Sequence, residues 1–224
     1  MNRTDIIALV QSRMDEVNPL QQGDTLVDPL ITLELDRCAV ELLHMLPSVL
    51  CRPVIPTKYE MVDDVDTIVK YTPAVENFIP FNKADIVCPD DFLKIHRVRL
   101  DYWQKPIYNL LYDQHPKVVM EDYRYIKSTP LKPTGVLYAY SEVVEDELKE
   151  TYHIECYPVG GEAPQVEDFM YVRTPNTAEE LHFDLMDMLA WHTAGRIYAI
   201  HGETNNTTLC SGKLKELIQV KLQQ

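Results

Sequence analysis

An α+β chain, with helices at both ends packed as a bundle around a β-rich middle, is the fold class this sequence predicts, on three observations. Apolar residues recur at three- and four-residue intervals near each terminus, the period of a helix buried on one face. Between about residues 51 and 171 that period fades, prolines recur, and twelve of the thirteen tyrosines collect, the mixture of short strands joined by loops. The 224 residues, 46% hydrophobic and 25% charged, are enough to bury a substantial core.

The elements follow in order. Residues 4–16 place Ile6, Ile7, Val10 and Met14 on one side of a short amphipathic helix, with Thr4 or Asp5 as N-cap. A loop through Asn18, Pro19, Gly23 and Asp24 leads to Asp28 and Pro29, which open a stronger helix. Its stripe is Ile31, Leu35, Cys38, Leu42 and Met45, and Pro47 ends it. In the middle, residues 95–100 and 107–112 read as strands around a turn at 101–106, and 136–140 and 154–157 as two more. The acidic stretch 141–149 reads as an exposed loop. From Asn176 or Thr177 a helix carries Leu181, Leu185, Met188, His192 and Ile197 until Gly202, Asn205 and Asn206 end it, and a last one carries Leu214, Leu217, Ile218 and Leu222. Residues 1–224 thus read as one domain, with helices at about 4–47 and 177–222 and a strand-rich insertion at about 52–172.

No apolar run approaches the roughly 20 residues of a membrane span, and residues 6–10 are too few for a signal-peptide core. A soluble, unexported protein is therefore expected. Cys38, Cys51, Cys88, Cys156 and Cys210 include no C-x-x-C pair, so zinc-ribbon and thioredoxin-like spacing is lacking and buried free thiols are expected.

The residues offer little catalytic pattern. Gly160-Gly161 is the one glycine pair, and neither phosphate-binding glycine motif occurs. None of Ser12, Ser48, Ser128, Ser141 and Ser211 sits in a G-x-S-x-G elbow. On a single helix His182 and His192 would lie ~15 Å apart along the axis, too far to share an ion, so these and His201 read as structural or surface histidines. Asp63-Asp64-Val65-Asp66 and Asp90-Asp91 lack the glycine and distal glutamate of a calcium loop, and Glu179 and Glu180 are adjacent residues that diverge around a helix. Solvated or capping acids are the expectation for all of them. The reading is of a protein that is not an enzyme, with no cofactor and no metal.

Charge is distributed unevenly. The net charge is −14, which opposes sequence-independent binding to phosphate backbones. Yet residues 92–133 hold eight cations (Lys94, Arg97, Arg99, Lys105, Lys117, Arg124, Lys127 and Lys132) against Asp101, Asp113, Glu121 and Asp122. Such polarity suits head-to-tail association of copies, basic face on acidic face. Tyr102, Trp103, Tyr108, Tyr123 and Tyr125 near those cations keep a nucleic-acid-binding module open as an alternative, and an enzyme built from dispersed residues is another.

Several phrases resemble head-to-tail connector (adaptor, or ring) proteins of short-tailed bacteriophages, crAss-like phages included. They are Met14-Asp15-Glu16, Leu35-Asp36-Arg37-Cys38-Ala39 with Leu46-Pro47, Cys88-Pro89-Asp90-Asp91-Phe92-Leu93, Val98-Arg99-Leu100, Trp103-x-x-Pro106, Tyr157-Pro158, Tyr171, and residues 188–194. The resemblance is a loose pattern over nearly the whole chain. It implies a structural virion protein at the head–tail junction, assembled in the host cytoplasm. Its partners would be the portal protein and adjacent tail or connector proteins, in a homo-oligomeric ring, a dodecamer by resemblance. DNA would pass without specific binding, and the resemblance brings no catalytic residues. Phe92, Arg97, Arg99 and Trp103 are the expected partner-interface positions, with ordinary sheet packing and solvated charge as the competing account.

Overall fold

The computed structural model describes residues 1–19, 27–55, 69–72, 83–112, 114–120, 128–144, 147–158 and 165–223. It has an α+β fold, as the periodicities predict. The chain divides into two compact units, one formed by Met1–Arg52 with Thr174–Gln224 and the other by Pro53–Arg173.

The terminal unit is built of four long helices, α1 (Arg3–Val17), α2 (Val27–Met45), α4 (Met186–Ile200) and α5 (Thr204–Leu222). Helix α1 starts one residue ahead of expectation because Asn2, not Thr4 or Asp5, caps it, its side chain accepting from the Asp5 amide at 2.8 Å. Ile6, Val10 and Met14 are its buried stripe. On α2, Ile31, Leu35, Cys38 and Leu42 are buried as expected, but Met45 is exposed and Leu46 takes the last inward place. Helix α4 begins later than the sequence predicts. Residues 178–180 and 183–185 form two separate 3-10 turns instead. Gly202, at φ 76°, ends α4, but Asn205 and Asn206 belong to the first turn of α5 rather than to a terminating loop.

Helix α4 is the centre of this unit. Met188, Leu189, Ala190, Ala194, Ile197 and Tyr198 are buried on several sides of it, and α1, α2 and α5 pack against it. The Tyr198 hydroxyl donates to the Met14 carbonyl at 2.9 Å, and Arg13 spans Asp187 at 2.8 Å and the Trp191 ring at 5.6 Å. Asp36 on α2 accepts both from the Arg3 guanidinium at 3.1 Å and from the Ala178 amide at 2.9 Å.

The second unit contains a five-stranded sheet in the order β1-β2-β6-β5-β4 and a two-stranded sheet β3-β7. The strands are β1 (Val69–Thr72), β2 (Lys83–Val87), β3 (Phe92–Leu100), β4 (Leu111–Tyr112), β5 (Thr134–Val144), β6 (Glu147–Tyr157) and β7 (Val166–Arg173), with a one-turn helix α3 (Pro116–Met120) between β4 and β5. The two sheets share one core: Ile86, Ile154 and Cys156 from the larger, Phe92, Ile95, Val98, Leu100, Phe169 and Tyr171 from the smaller. Phe92 and Phe169 stack on Tyr171 at centroid distances of 6.0 and 5.6 Å.

Two sequence expectations fail here. Residues 107–112 are not one strand returning along β3. Ile107 makes a single antiparallel bridge to Val98, and Leu111 and Tyr112 then pair parallel with β5 at Val136 and Leu137. Residues 141–144 and 147–149 of the expected loop are in fact strand, since β5 and β6 pair continuously from Thr134↔Tyr157 to Val144↔Glu147. Acidic composition misled because backbone pairing across a hairpin does not require apolar alternation. Phrases at Gly23, Asp24, 63–66, Asp113, 121–127 and Gly160-Gly161 lie outside the described residues.

The Arg3 hydrogen bond and the Ala178 amide overcome partial burial and hold the Asp36 carboxyl below its ordinary pKa. A lowered folded-state value gives stability that is complete above the unfolded carboxylate value near ~3.9 and is lost as pH falls through the folded one. Asp36→Ala is expected to lower unfolding free energy by about 1 kcal/mol at pH 7, a modest loss because the pair is partly solvated. Urea melts at pH 7 and pH 3 check it: the deficit should shrink at the lower pH.

Candidate functional site

Strand β3 carries Phe92, Arg97 and Arg99 of the residues expected at a partner interface, with Trp103 in the turn just after it, and the structure separates the four into two kinds. Phe92 is 4% exposed and Trp103 2%. Phe92 packs on Tyr171 and Tyr152, and the Trp103 indole donates to the Pro158 carbonyl at 2.7 Å. Both side chains are buried in the sheet unit, which is the ordinary sheet packing that competes with the interface account. Their spacing in sequence hid this because β-bulges between Phe92/Lys94, Ile95/Arg97 and Arg99/Leu100 shift the register. Inward positions consequently run Phe92, Ile95, Val98, Leu100 rather than alternating.

Arg97 and Arg99 do reach the surface, but each holds an acid of the neighbouring strand β7. Arg97 Nε lies 2.6 Å from Asp168, and Arg99 contacts Glu167 at 2.5 Å. The hydrogen bond that Arg99 donates to Glu167 raises the Arg99 pKa against an opposing burial effect. Two cations of the basic segment are thus neutralised within the fold. Among the described residues its exposed aromatics are Tyr102, Tyr108 and Tyr112, with His96 edge-on to Tyr108 at 6.5 Å.

The β5–β6 hairpin forms a second feature. β2 pairs with β6 only over His153 to Cys156, and β4 pairs with β5 only at Val136 and Leu137. From Tyr140↔Thr151 outward to Val144↔Glu147, the two strands have only each other as neighbours among the described strands. Five residues of strand extend ~17 Å.

The terminal unit contributes a polar cluster between α2 and α4. Glu34, Cys38 and Glu41 follow one another at four- and three-residue steps along one face of α2, and His192, Thr193 and Arg196 face them from α4. Arg196 Nε is 3.4 Å from Glu34, and His192 Nε2 is 3.4 Å from Glu41. Arg37 holds the other Glu41 oxygen at 2.9 Å. Burial opposes the Glu41 charge, yet the Arg37 hydrogen bond and the nearby Arg196 and His192 keep its carboxyl below the ordinary range. Burial depresses His192 despite Glu41. The Cys38 thiol, beside Thr193, is pushed up to about 11 by burial. With a fully buried sulfur in its protonated form, Cys38 is no nucleophile. Among the described residues, His192, Cys38 and Glu41 are the group whose ligand atoms stand close enough to hold a metal ion.

Other candidates resolve into structural roles. His182 accepts from the Asp184 amide at 3.3 Å and packs tilted against Phe183, and His201 is the exposed C-cap of α4. Asp91 accepts from the Tyr171 hydroxyl at 2.9 Å. Glu155, buried opposite Asp85, accepts from Tyr157 at 2.6 Å. Burial first, and then Glu155, raise that phenol, which stays a neutral donor. All five cysteines are free and buried, and among the described residues no helix is long and apolar enough to cross a membrane.

No protein-family model and no curated protein matches this chain. Histidine spacing alone does not reveal the cluster, because His192 meets residues of another helix rather than a second histidine. The available signal was Cys38-x-x-Glu41 on a helical face, but nothing in sequence links it to a histidine 151 positions after Glu41.

Truncation separates core from surface on β3. Phe92→Ala is expected to cost about 3–5 kcal/mol of stability, whereas Arg99→Ala, whose ion pair is solvated, should leave stability almost unchanged. Chemical denaturation of the two variants checks this, and comparable losses would contradict the assignment of Phe92 to the core.

Proposed function

We propose that this chain is a structural virion protein that forms a ring at the portal–tail junction of a short-tailed phage, extending the DNA conduit and joining head to tail. The observation that carries the reading is the β5–β6 arm. A two-stranded ribbon is marginal in water, and its outer edges present rows of backbone donors and acceptors. Strand addition to a neighbouring copy would satisfy those groups. Repeated head-to-tail, such a heterologous contact builds a ring when the rotation between copies closes.

Charge supports the same reading. At −14 overall, a conduit wall lets DNA pass without adhesion. The nucleic-acid alternative is weakened because Arg97 and Arg99 already serve Asp168 and Glu167. In the assembly, the terminal helices would meet the portal and the neighbouring copies, while the strand-rich unit builds the wall or receives the next tail component.

The test is co-expression with the portal protein of the same genome, purification by a portal tag, and negative-stain microscopy. A second ring stacked coaxially on the portal is the expected result. A variant in which residues 140–151 are replaced by Asn-Gly, a two-residue hairpin turn joining the Ala139↔Tyr152 pair, should remain folded by circular dichroism yet leave the portal bare. Ring formation by the shortened variant would reject the arm as the joining element. A bare portal with the intact chain would reject portal docking itself.

A further inference from the structure

The cluster between α2 and α4 has the donor set and spacing of a transition-metal site. Cys38 Sγ, a Glu41 carboxylate oxygen and a His192 ring nitrogen all lie within 4.8 Å of one another. Around a tetrahedral zinc ion, with metal–ligand distances of about 2.0–2.3 Å, ligand atoms stand roughly 3.4–3.7 Å apart. Side-chain rotation of about an ångström closes the widest pair onto an ion.

The His192–Glu41 pair is already at that spacing, with Nε2 and Oε2 3.4 Å apart. This is long for a charge-assisted hydrogen bond, for which ~2.7–2.9 Å is usual. Nε2 is also buried without a hydrogen-bond partner. The imidazole therefore points a lone pair or a proton at a carboxylate too distant to receive it well, with a thiol as the third corner.

We propose that Cys38, Glu41 and His192 bind one zinc-class divalent cation, which clamps α2 to α4. Thiolate and imidazole donors favour zinc over calcium or magnesium. As the sulfur–metal bond forms, the Cys38 proton passes to solvent, and nothing is oxidised or reduced. The resulting thiolate and the Glu41 carboxylate balance the two positive charges, with His192 neutral. Arg37 fixes one Glu41 oxygen at 2.9 Å and so turns the other toward His192, the orienting role of an outer-shell partner. Arg196, the nearby cation, is offset by Glu34 at 3.4 Å. Glu41 is the more exposed of the three, with a third of its side chain accessible, so a fourth ligand would come from solvent on the Glu41 side.

The experiment uses the full chain, treated with chelator, passed into reducing buffer and titrated with cobalt(II). Binding of one equivalent is expected, with a sulfur-to-cobalt charge-transfer band in the near ultraviolet, visible bands of tetrahedral intensity, and displacement of both by equimolar zinc. Cys38→Ser should abolish the charge-transfer band, and Glu41→Gln should weaken cobalt affinity by about tenfold or more while the sulfur band persists at saturation. A folded wild type that gives no stoichiometric band overturns the proposal and leaves the cluster a purely interhelical polar contact. A band unchanged in Cys38→Ser overturns it too, since another thiol then binds the metal. Should Cys38→Ser fail to fold by circular dichroism, Glu41→Gln decides, and unaltered affinity in that variant counts against the site.

Discussion

Helix α4 must be covered on nearly every side, and the terminal unit follows from that requirement. Ten of its residues are buried, Trp191 and Tyr198 among them, so no single partner helix could shield it from water. Covering it draws α1 and α2 from one end of the chain and α5 from the other into one bundle. Gly195 is part of the solution: a Cβ there would stand 3.2 Å from Cys210 Cβ, so its absence lets α5 lie close. The polar links lie around this packing, with Arg13 on Asp187 and Trp191, Tyr198 on the Met14 carbonyl, and Asp36 on Arg3 and Ala178.

The same burial sets the chemistry of the α2–α4 cluster. Cys38 and Thr193 are fully buried, so charge there is costly and the thiol keeps its proton. The Glu41 carboxyl is held below its ordinary range against that cost by the Arg37 hydrogen bond and the nearby Arg196, and Arg196 lies 3.4 Å from Glu34. A cation is the partner that would repay deprotonating the sulfur, which is why a thiol inert as a nucleophile can still be a ligand. In the strand unit a different constraint rules. Stacked Phe92, Tyr171 and Phe169 hold the β3-β7 pair against the larger sheet, and its bulges turn Arg97 and Arg99 toward acids of β7.

Helical period and composition by themselves determined the fold class, the inward stripes of α1 and α2, and the place where helices give way to strands. These are local properties: a stripe such as Ile31, Leu35, Cys38 and Leu42 is set by the 3.6-residue turn whatever it packs against. Tertiary structure alone decided the rest. The delay of α4 to Met186, the parallel pairing of Leu111 with Val136, the burial of Phe92 and Trp103, and the meeting of Cys38 and Glu41 with His192 all depend on partners distant in sequence. Spacing along the chain reports what one element presents, whereas a site between two helices exists only when burial of apolar surface has brought their faces together.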